Sequence, residues 1–356
     1  MLHTEFSRCI QIWCACGILC VLETSGLSKS PRPPAKTPRT GTFTLKKRFP
    51  HNAPHAQFFC RLSSQTISAT LAGKRNRDFP MRTRQPFKGT KGWTVMSDLF
   101  QCLDAIPEYR RAALQDALVA EWTCASAGLE GNTFSLGDTD FFLREGLTVA
   151  GKSFREHCEI KGHADALKWM EHLVITNAPL SQEHLFTLHR FIQTETVIDV
   201  YAPVGAFKNA PNGTYGRDNK GKAVWMEYAS PEDVPVLIAR WLHFFNEQQV
   251  TRENAPSIYT RLHIPFVHIH PFADGNGRLA RLISNLPLLR AGLPPIIIPK
   301  EWRQEYITLL AEHQRERGTL VSGSELLDIT PAVQEFEGMV VRAWERTWTV
   351  IESFSK

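Results

Sequence analysis

No Cys-x-x-Cys pair occurs among the eight cysteines, and the nearest approach, Cys14-Ala-Cys16 followed by Cys20, lacks the spacing of a zinc knuckle. A structural zinc site of the usual spacing is therefore not expected. Long apolar runs are missing too. Ile10–Leu22, IQIWCACGILCVL, has thirteen residues, short of the roughly 20 that a membrane helix needs. It has the texture of a secretory leader's core, but only Arg8 is basic before it and no clean small-x-small site follows. No membrane partner is expected. Acidic residues are scarce at one end: positions 1–95 hold sixteen Lys and Arg against Glu5, Glu23 and Asp78, while the remainder has 33 acidic residues against 25 basic. No internal repeat is visible.

Such asymmetry divides the chain into physically different parts. Ser28–Lys91 is rich in Pro, Ser, Thr and basic residues without a period, the composition of a disordered segment. Met81 and Met96 offer alternative starts, so region 1–95 reads as a basic, disordered extension or as a mis-assigned start. A basic arm can bind nucleic acid, but only Trp13, Trp93 and scattered Phe interleave its charges, and nucleic acid is not expected as a partner. Cys102, Cys124 and Cys158 fall in helical patterns and read as buried thiols, which points to a reducing, cytoplasmic setting.

Regular patterning begins near Leu99. Helical signals cover Pro107–Gly131, a stretch after Ser135, Ser153–Leu173, and a run opened by Ser181, whose cap is weak because Glu sits at 183 rather than 184. Tyr201–Tyr228 is dense in Gly, Asn, Lys and Pro, and KAVWMEY within it reads as a strand, so a hairpin-like flap is expected. Helical patterns resume from Ser230-Pro-Glu-Asp, over Ala255–Ile269, Arg278–Gly292 and EWRQEYITLLAEHQRER, and the stretch Ser324–Lys356 reads as one amphipathic helix with Trp344 and Trp348. That helix packs on the core or offers a face for a homodimer. The fold class is all-α with a small β-hairpin flap. The expected division is 96–180, an N-terminal helical region; 181–320, the catalytic core; and 321–356, the C-terminal helix.

The stretch HIHPFADGNGRLAR, His268–Arg281, gathers a His, a carboxylate, two glycines around an Asn, and two arginines. Gly275 and Gly277 permit backbone conformations closed to other residues, so successive N–H groups can converge on an anion. A helix starting there adds its positive end. Arg278 and Arg281 lie three apart and share one face of it. Asp274 supplies a hard oxygen suited to Mg²⁺ bridging phosphates. A neutral His270 is suited to act as a general base. Together these describe transfer of a phosphorus-bearing group to a nucleophile. Taken singly, Asp-Gly-Asn-Gly is most often a turn, a His before Pro ends a helix, and arginines on a helix are solvated; the conjunction argues for a site. His263, His268 and His270 do not make a zinc set, since His268 and His270 point to opposite sides of a helix. Phe272 is expected to anchor the loop in the core.

This stretch resembles the signature of the Fic family, His-x-Phe-x-Asp/Glu-Gly-Asn-Gly-Arg-x-x-Arg, at every fixed position. The resemblance implies the helical Fic core and transfer of AMP from ATP to a Ser, Thr or Tyr hydroxyl of a target protein. It implies that His270 takes the hydroxyl proton and that Asp274 holds Mg²⁺. The Gly275–Gly277 backbone, Asn276 and Arg278 would hold the α- and β-phosphates, and Arg281 the γ-phosphate. The family's phosphorylating branch has Lys where this chain has Gly277, which favours nucleotidyl transfer. Family members cover the site with a hairpin that pairs with the target's backbone; their Gly-x-Tyr-Arg at its entrance is matched loosely by Gly205-Ala206-Phe207-Lys208. The alternative for 205–228 is a mobile loop.

Upstream, SAGLEGN at Ser126–Asn132 puts Ser126 and Glu130 four apart at a helix end, with Gly131 as a ready cap. The plain reading is an exposed Glu at a helix end. The string also resembles the family's inhibitory motif, Ser/Thr-x-x-x-Glu-Gly/Asn, in its subclass with an N-terminal inhibitory helix. That resemblance implies that Glu130 pairs with Arg281 and keeps it from the γ-phosphate, and that Glu130 can serve a reverse, AMP-removing reaction. Two other readings stay open: a transferase on this scaffold with another donor, such as UTP or a choline-bearing nucleotide, and a nucleotide-binding regulatory module without turnover.

Overall fold

The computed structural model describes residues 99–355 except 104–105, 194–202 and 218–220, together with the backbone of 10–13 and 19–22. The expected disorder of Ser28–Lys91, the alternative starts and the flap residues Tyr201 and Ala202 lie outside the described residues. Contacts divide the chain into two units, 1–83 and 84–356. In the first, β1 (Ile10–Trp13) and β2 (Leu19–Leu22) form an antiparallel pair with Ile10 opposite Leu22.

The second unit is helical. α1 (Glu108–Leu129), α2 (Leu136–Glu145), α3 (Phe154–Thr176) and α4 (Gln182–Ile192) come first. The hairpin β3 (Gly213–Arg217) and β4 (Ala223–Glu227) follows, antiparallel, with Tyr215 opposite Trp225. Then come α5 (Val234–Asn246), α6 (Ala255–Ile269), α7 (Asn276–Ile283), α8 (Leu286–Arg290), α9 (Arg303–Arg317) and α10 (Pro331–Ser355). Among the described residues no helix is long and apolar enough to cross a membrane.

The helix starts follow local chemistry. Ser135 with Asp138, and Ser153 with Glu156, close reciprocal capping boxes at α2 and α3. Ser181 does the same at α4 with the ring of His184 in place of a carboxylate, so the cap is complete where a weak one is expected. Three expected ranges need correction. The span Arg278–Gly292 is two helices that begin at Asn276, because Pro287 has no N–H to give and its ring crowds the carbonyl four residues back at Ile283, where α7 ends. Asn285 bridges the break, accepting Ile296 N–H at 2.7 Å and donating to its carbonyl at 3.0 Å. Ser230-Pro-Glu-Asp forms a turn, with Asp233 N–H donating to Ser230 Oγ, and helix begins only at Val234. Ser324–Thr330 is not helical: Arg240 holds the carbonyls of Ser322 and Ser324, and α10 begins at Pro331.

α6 runs through the middle, with nearly every residue buried. One core cluster joins it to α1, α3, α4, α5 and α7 through Trp122, Trp241, Phe266 and Phe272. A second joins α6 to α9 and α10 through Tyr259, Tyr306, Phe336 and Trp344. The Trp344 indole donates to Pro294 O at 2.9 Å, so α10 packs on the core through one face. Cys124 is buried, but Cys102 and Cys158 are only half-buried, a correction to their reading as buried thiols.

Candidate active site

The chain between α6 and α7 folds into a tight arc. His270 caps α6 in the left-handed region at φ 53°, and Gly275 precedes α7 at φ 78°. Phe272, fully buried, anchors the arc as expected. The Asn276 amide brackets it, accepting Phe272 N–H at 2.9 Å and donating to Phe272 O at 2.8 Å. The Asn276 side chain therefore shapes the loop, and what it can offer a phosphate is its backbone N–H. The first bond inside α7 runs from Leu279 N–H to Gly275 O, and no side chain caps the helix. The N–H groups of Asn276, Gly277 and Arg278 precede that bond, at the positive end of the helix. Such a set is suited to cradle an anion.

His270 stands at the mouth of the arc. Its Nδ1 lies 3.0 Å from Val267 O. A carbonyl only accepts, so Nδ1 carries the proton and Nε2 keeps a lone pair. Its ring lies flat on Tyr228, with centroids 3.7 Å apart and planes within 3°. Burial, then the Lys208 ammonium, outweigh the Val267 bond and the nearby carboxylates and lower its pKa to about 4. The ring is neutral near pH 7, as a general base must be.

Asp274 is exposed, with one oxygen accepting Gly275 N–H at 2.7 Å and the other 3.4 Å from Arg278 Nη2. Partial desolvation would raise its pKa, but Arg278 and the Gly275 N–H outweigh this and hold it below the usual carboxylate value. An ionised, solvent-facing carboxylate beside an anion cradle fits Mg²⁺, which takes one or two carboxylates and fills its shell with phosphate and water. Arg278 is buried and bound to the end of α4, donating to Ile192 O at 3.3 Å and to Gln193 Oε1 at 3.1 Å.

Arg281 is buried at the other end of the cradle. It donates to Ser126 O at 2.8 Å, to Ser126 Oγ at 3.2 Å and to Tyr306 OH at 3.0 Å. Its Nη2 also lies 2.7 Å from Glu130 Oε1. The pair is lopsided: Arg281 is 3% exposed and Glu130 is 42% exposed. Tyr306 in turn stands 3.1 Å from His263 Nε2, continuing the chain of hydrogen bonds inward. A Cβ at Gly277 would collide with the Glu130 carboxylate, which explains the bare backbone there. Ser126, Glu130 and Arg281 thus meet.

The flap residues pack beneath the arc. Gly205 is buried at φ 69°, Phe207 meets Phe186 and Phe272, and Lys208 N–H donates to Pro271 O at 2.9 Å. The Lys208 ammonium is buried with Asn212 Oδ1 at 2.6 Å, and burial lowers its pKa to about 8. Asn212 also donates to Phe272 O at 3.1 Å. Residues the sequence reading missed are His189, Gln193, Asn212, Tyr228 and Tyr306. All reach the site from a distance along the chain; the one available signal was His189, a polar residue in line with Leu185, Leu188 and Ile192 on the buried face of α4.

The sequence pattern of the Fic/DOC family matches residues 179–288. That stretch, about a third of the chain, is what matches the Fic domain. The chain is 34% identical over 187 residues to "Protein adenylyltransferase Fic" of Drosophila grimshawi, covering 52% of this chain and 36% of that protein. The relative of that name in Drosophila melanogaster is 33% identical over 187 residues. The matched part thus spans about a third of each curated relative's length. Among solved structures, a Fic-domain-containing signalling protein of Bacteroides thetaiotaomicron superposes with a TM-score of 0.59 at 26% identity, over 73% of this chain and 97% of its own. Fic-1 of C. elegans gives 0.51 at 27%, over 66% and 63%. Both likenesses extend beyond the 179–288 match.

Proposed function

We propose that this Fic-domain protein moves AMP from ATP to a Ser, Thr or Tyr hydroxyl of a target protein, and that Glu130 holds the activity down. The observation that carries the reading is the 2.7 Å ion pair between Glu130 and Arg281, at one end of a cradle whose other end holds a neutral, oriented His270. The name shared by the curated relatives supports the choice of AMP.

In this reading the triphosphate lies along the N–H groups of Asn276, Gly277 and Arg278, with its γ-phosphate toward Arg281. Mg²⁺ on Asp274 would offset phosphate charge. The acceptor oxygen attacks the α-phosphorus as its proton passes to His270 Nε2. The bond from the α-phosphorus to the bridging oxygen breaks, and pyrophosphate leaves. Tyr228 fixes the plane of the imidazole and Val267 its tautomer, so the lone pair needs no reorientation during the step. While Glu130 holds Arg281, the guanidinium cannot clamp the γ-phosphate and the carboxylate repels it, so ATP lies poorly for in-line attack.

The test is labelling with ATP traced at the α- or the γ-phosphate, using wild type, Glu130→Gly and Glu130→Gly/His270→Ala with lysate as acceptor. The expected result is incorporation from the α-label alone, raised by Glu130→Gly and lost on removing His270, a base worth about 10²–10⁴ in rate. Incorporation from the γ-label would mean a kinase. Unchanged, low activity in Glu130→Gly would remove Glu130 from the inhibitory role.

A further inference from the structure

The last turn of α4 carries one side chain that touches both the flap and the phosphate loop. His189 is buried, with Nε2 3.0 Å from Asp274 O. The carbonyl only accepts, so Nε2 bears the proton. Nδ1 then holds the lone pair, and it accepts Gly205 N–H at 2.8 Å. The two bonds, to residues 16 and 85 positions away, demand the same neutral tautomer. The ring also lies on Phe272, centroids 4.0 Å apart and planes within 10°. At the flap end, Arg190 donates to Gly205 O at 3.3 Å, and any side chain at Gly205 would strike Arg190.

The bond to Asp274 acts on more than a carbonyl. Asp274 O and Gly275 N–H belong to one planar trans peptide and point to opposite sides of it. Holding the oxygen against His189 turns the N–H the other way, where it meets Asp274 Oδ1 at 2.7 Å. The direction of the carboxylate and the approach of the chain into the α7 cradle are thus set through this peptide plane.

We propose that His189 is a positioning residue that locks the base of the flap and the phosphate loop into one register. Acceptor-side geometry at Gly205 and nucleotide-side geometry at Asp274 are aligned through a single imidazole. The functional meaning rests on the transferase reading; the coupling itself does not.

The two bonds separate by isosteric replacement in the full chain carrying Glu130→Gly. His189→Asn places an oxygen near the Nδ1 position and keeps the flap bond. His189→Gln places an amide N–H near the Nε2 position and keeps the loop bond. His189→Phe keeps only the stack. Amide hydrogen exchange is read at Gly205 and Gly275, and KM is read for MgATP and for an acceptor protein. With Asn, exchange is expected to quicken roughly five- to tenfold at Gly275, with Gly205 little changed and KM raised for MgATP. With Gln, Gly205 is expected to quicken and the acceptor KM to rise. With Phe, both amides quicken. Asn and Gln loosening both amides alike would reduce His189 to a packing residue and overturn the proposal. So would wild-type exchange at both amides in all three variants. If Glu130→Gly itself transfers nothing, the transferase reading fails while the exchange pattern still decides the coupling.

Discussion

Two helix ends face each other across α7, and each clasps one arginine. The C-terminal end of α4 offers Arg278 the carbonyl of Ile192 and the neutral amide of Gln193. The C-terminal end of α1 offers Arg281 the carbonyl of Ser126 and, one turn on, the Glu130 carboxylate. A helix C-terminus suits a cation in either case. The difference is where the countercharge comes from. The end of α4 offers Arg278 only neutral groups, and its carboxylate partner, Asp274 at 3.4 Å, belongs to the loop before α7. The end of α1 itself brings a carboxylate to Arg281, at 2.7 Å. Buried geometry is thus shared by both arginines, while only Arg281 is paired to a charge on the helix that clasps it. The exposure of Glu130 makes the second clasp releasable, because a carboxylate open to water loses less on parting than a buried one.

Removing the cation should have the largest effect. Arg281→Ala is expected to lower α-label transfer about 10²–10³-fold in the Glu130→Gly background, as loss of a preorganised charge at the transition state does; activity equal to that of Glu130→Gly alone would take Arg281 out of the phosphate site. Next comes removal of the anion. Glu130→Gly should raise transfer about 10–100-fold, the range of a charge-assisted hydrogen bond, and Glu130→Gln should fall between, measured by initial rate at saturating MgATP. On the α4 side, Gln193→Ala should cost only about 2–5-fold in KM for MgATP with kcat little moved, since Arg278 and Asp274 each lose one amide partner but keep their charges and their mutual pair. A larger effect there than from Glu130→Gly would break the contrast between the clasps.

The smallest effect near neutrality is on stability. Behind each arginine stands a buried, neutral His: His163, bound to Thr123 Oγ1 on the α1 side, and His189 on the α4 side. Burial lowers their pKa values to about 3 and about 4, well below the ordinary imidazole value of about 6.5. The unfolded chain therefore binds more protons than the folded one between about pH 6.5 and 4, and stability falls as pH falls through that window. Urea midpoints should be nearly flat above pH 7 and drop clearly by pH 5. Replacing either His by a neutral isostere should flatten the drop.

What could be read along the chain was what lies close along the chain. His270, Asp274, Gly275 and the two arginines fall within twelve positions, so their chemistry was legible together, and Ser126 with Glu130 formed a second local string. Helix starts at Ser135 and Ser153 were legible as changes of pattern, and the structure adds the capping boxes that close them. The break at Pro287 was misread because the apolar period continues through it. Tyr228, His189 and Tyr306 were not legible, since each is one aromatic or His on an apolar face until the fold brings it to His270, Asp274 or Arg281. The resemblance put Asn276 among the phosphate-holding residues, and only the fold shows its side chain committed to the Phe272 backbone. Pattern reports periodicity and local motif; it does not report which backbone groups a buried amide or imidazole must satisfy.

Gly277 has a bearing on how such a protein can change. Its missing Cβ leaves room for the Glu130 carboxylate beside Arg281. A Cβ there would meet the Glu130 carboxylate and Arg281 Nη1, so a larger residue must displace one or both ends of the ion pair. Under the proposed reading, restraint can therefore be disturbed from two helices: from α7 by adding a side chain at Gly277, and from α1 by changing Glu130, which leaves the α7 backbone as it is.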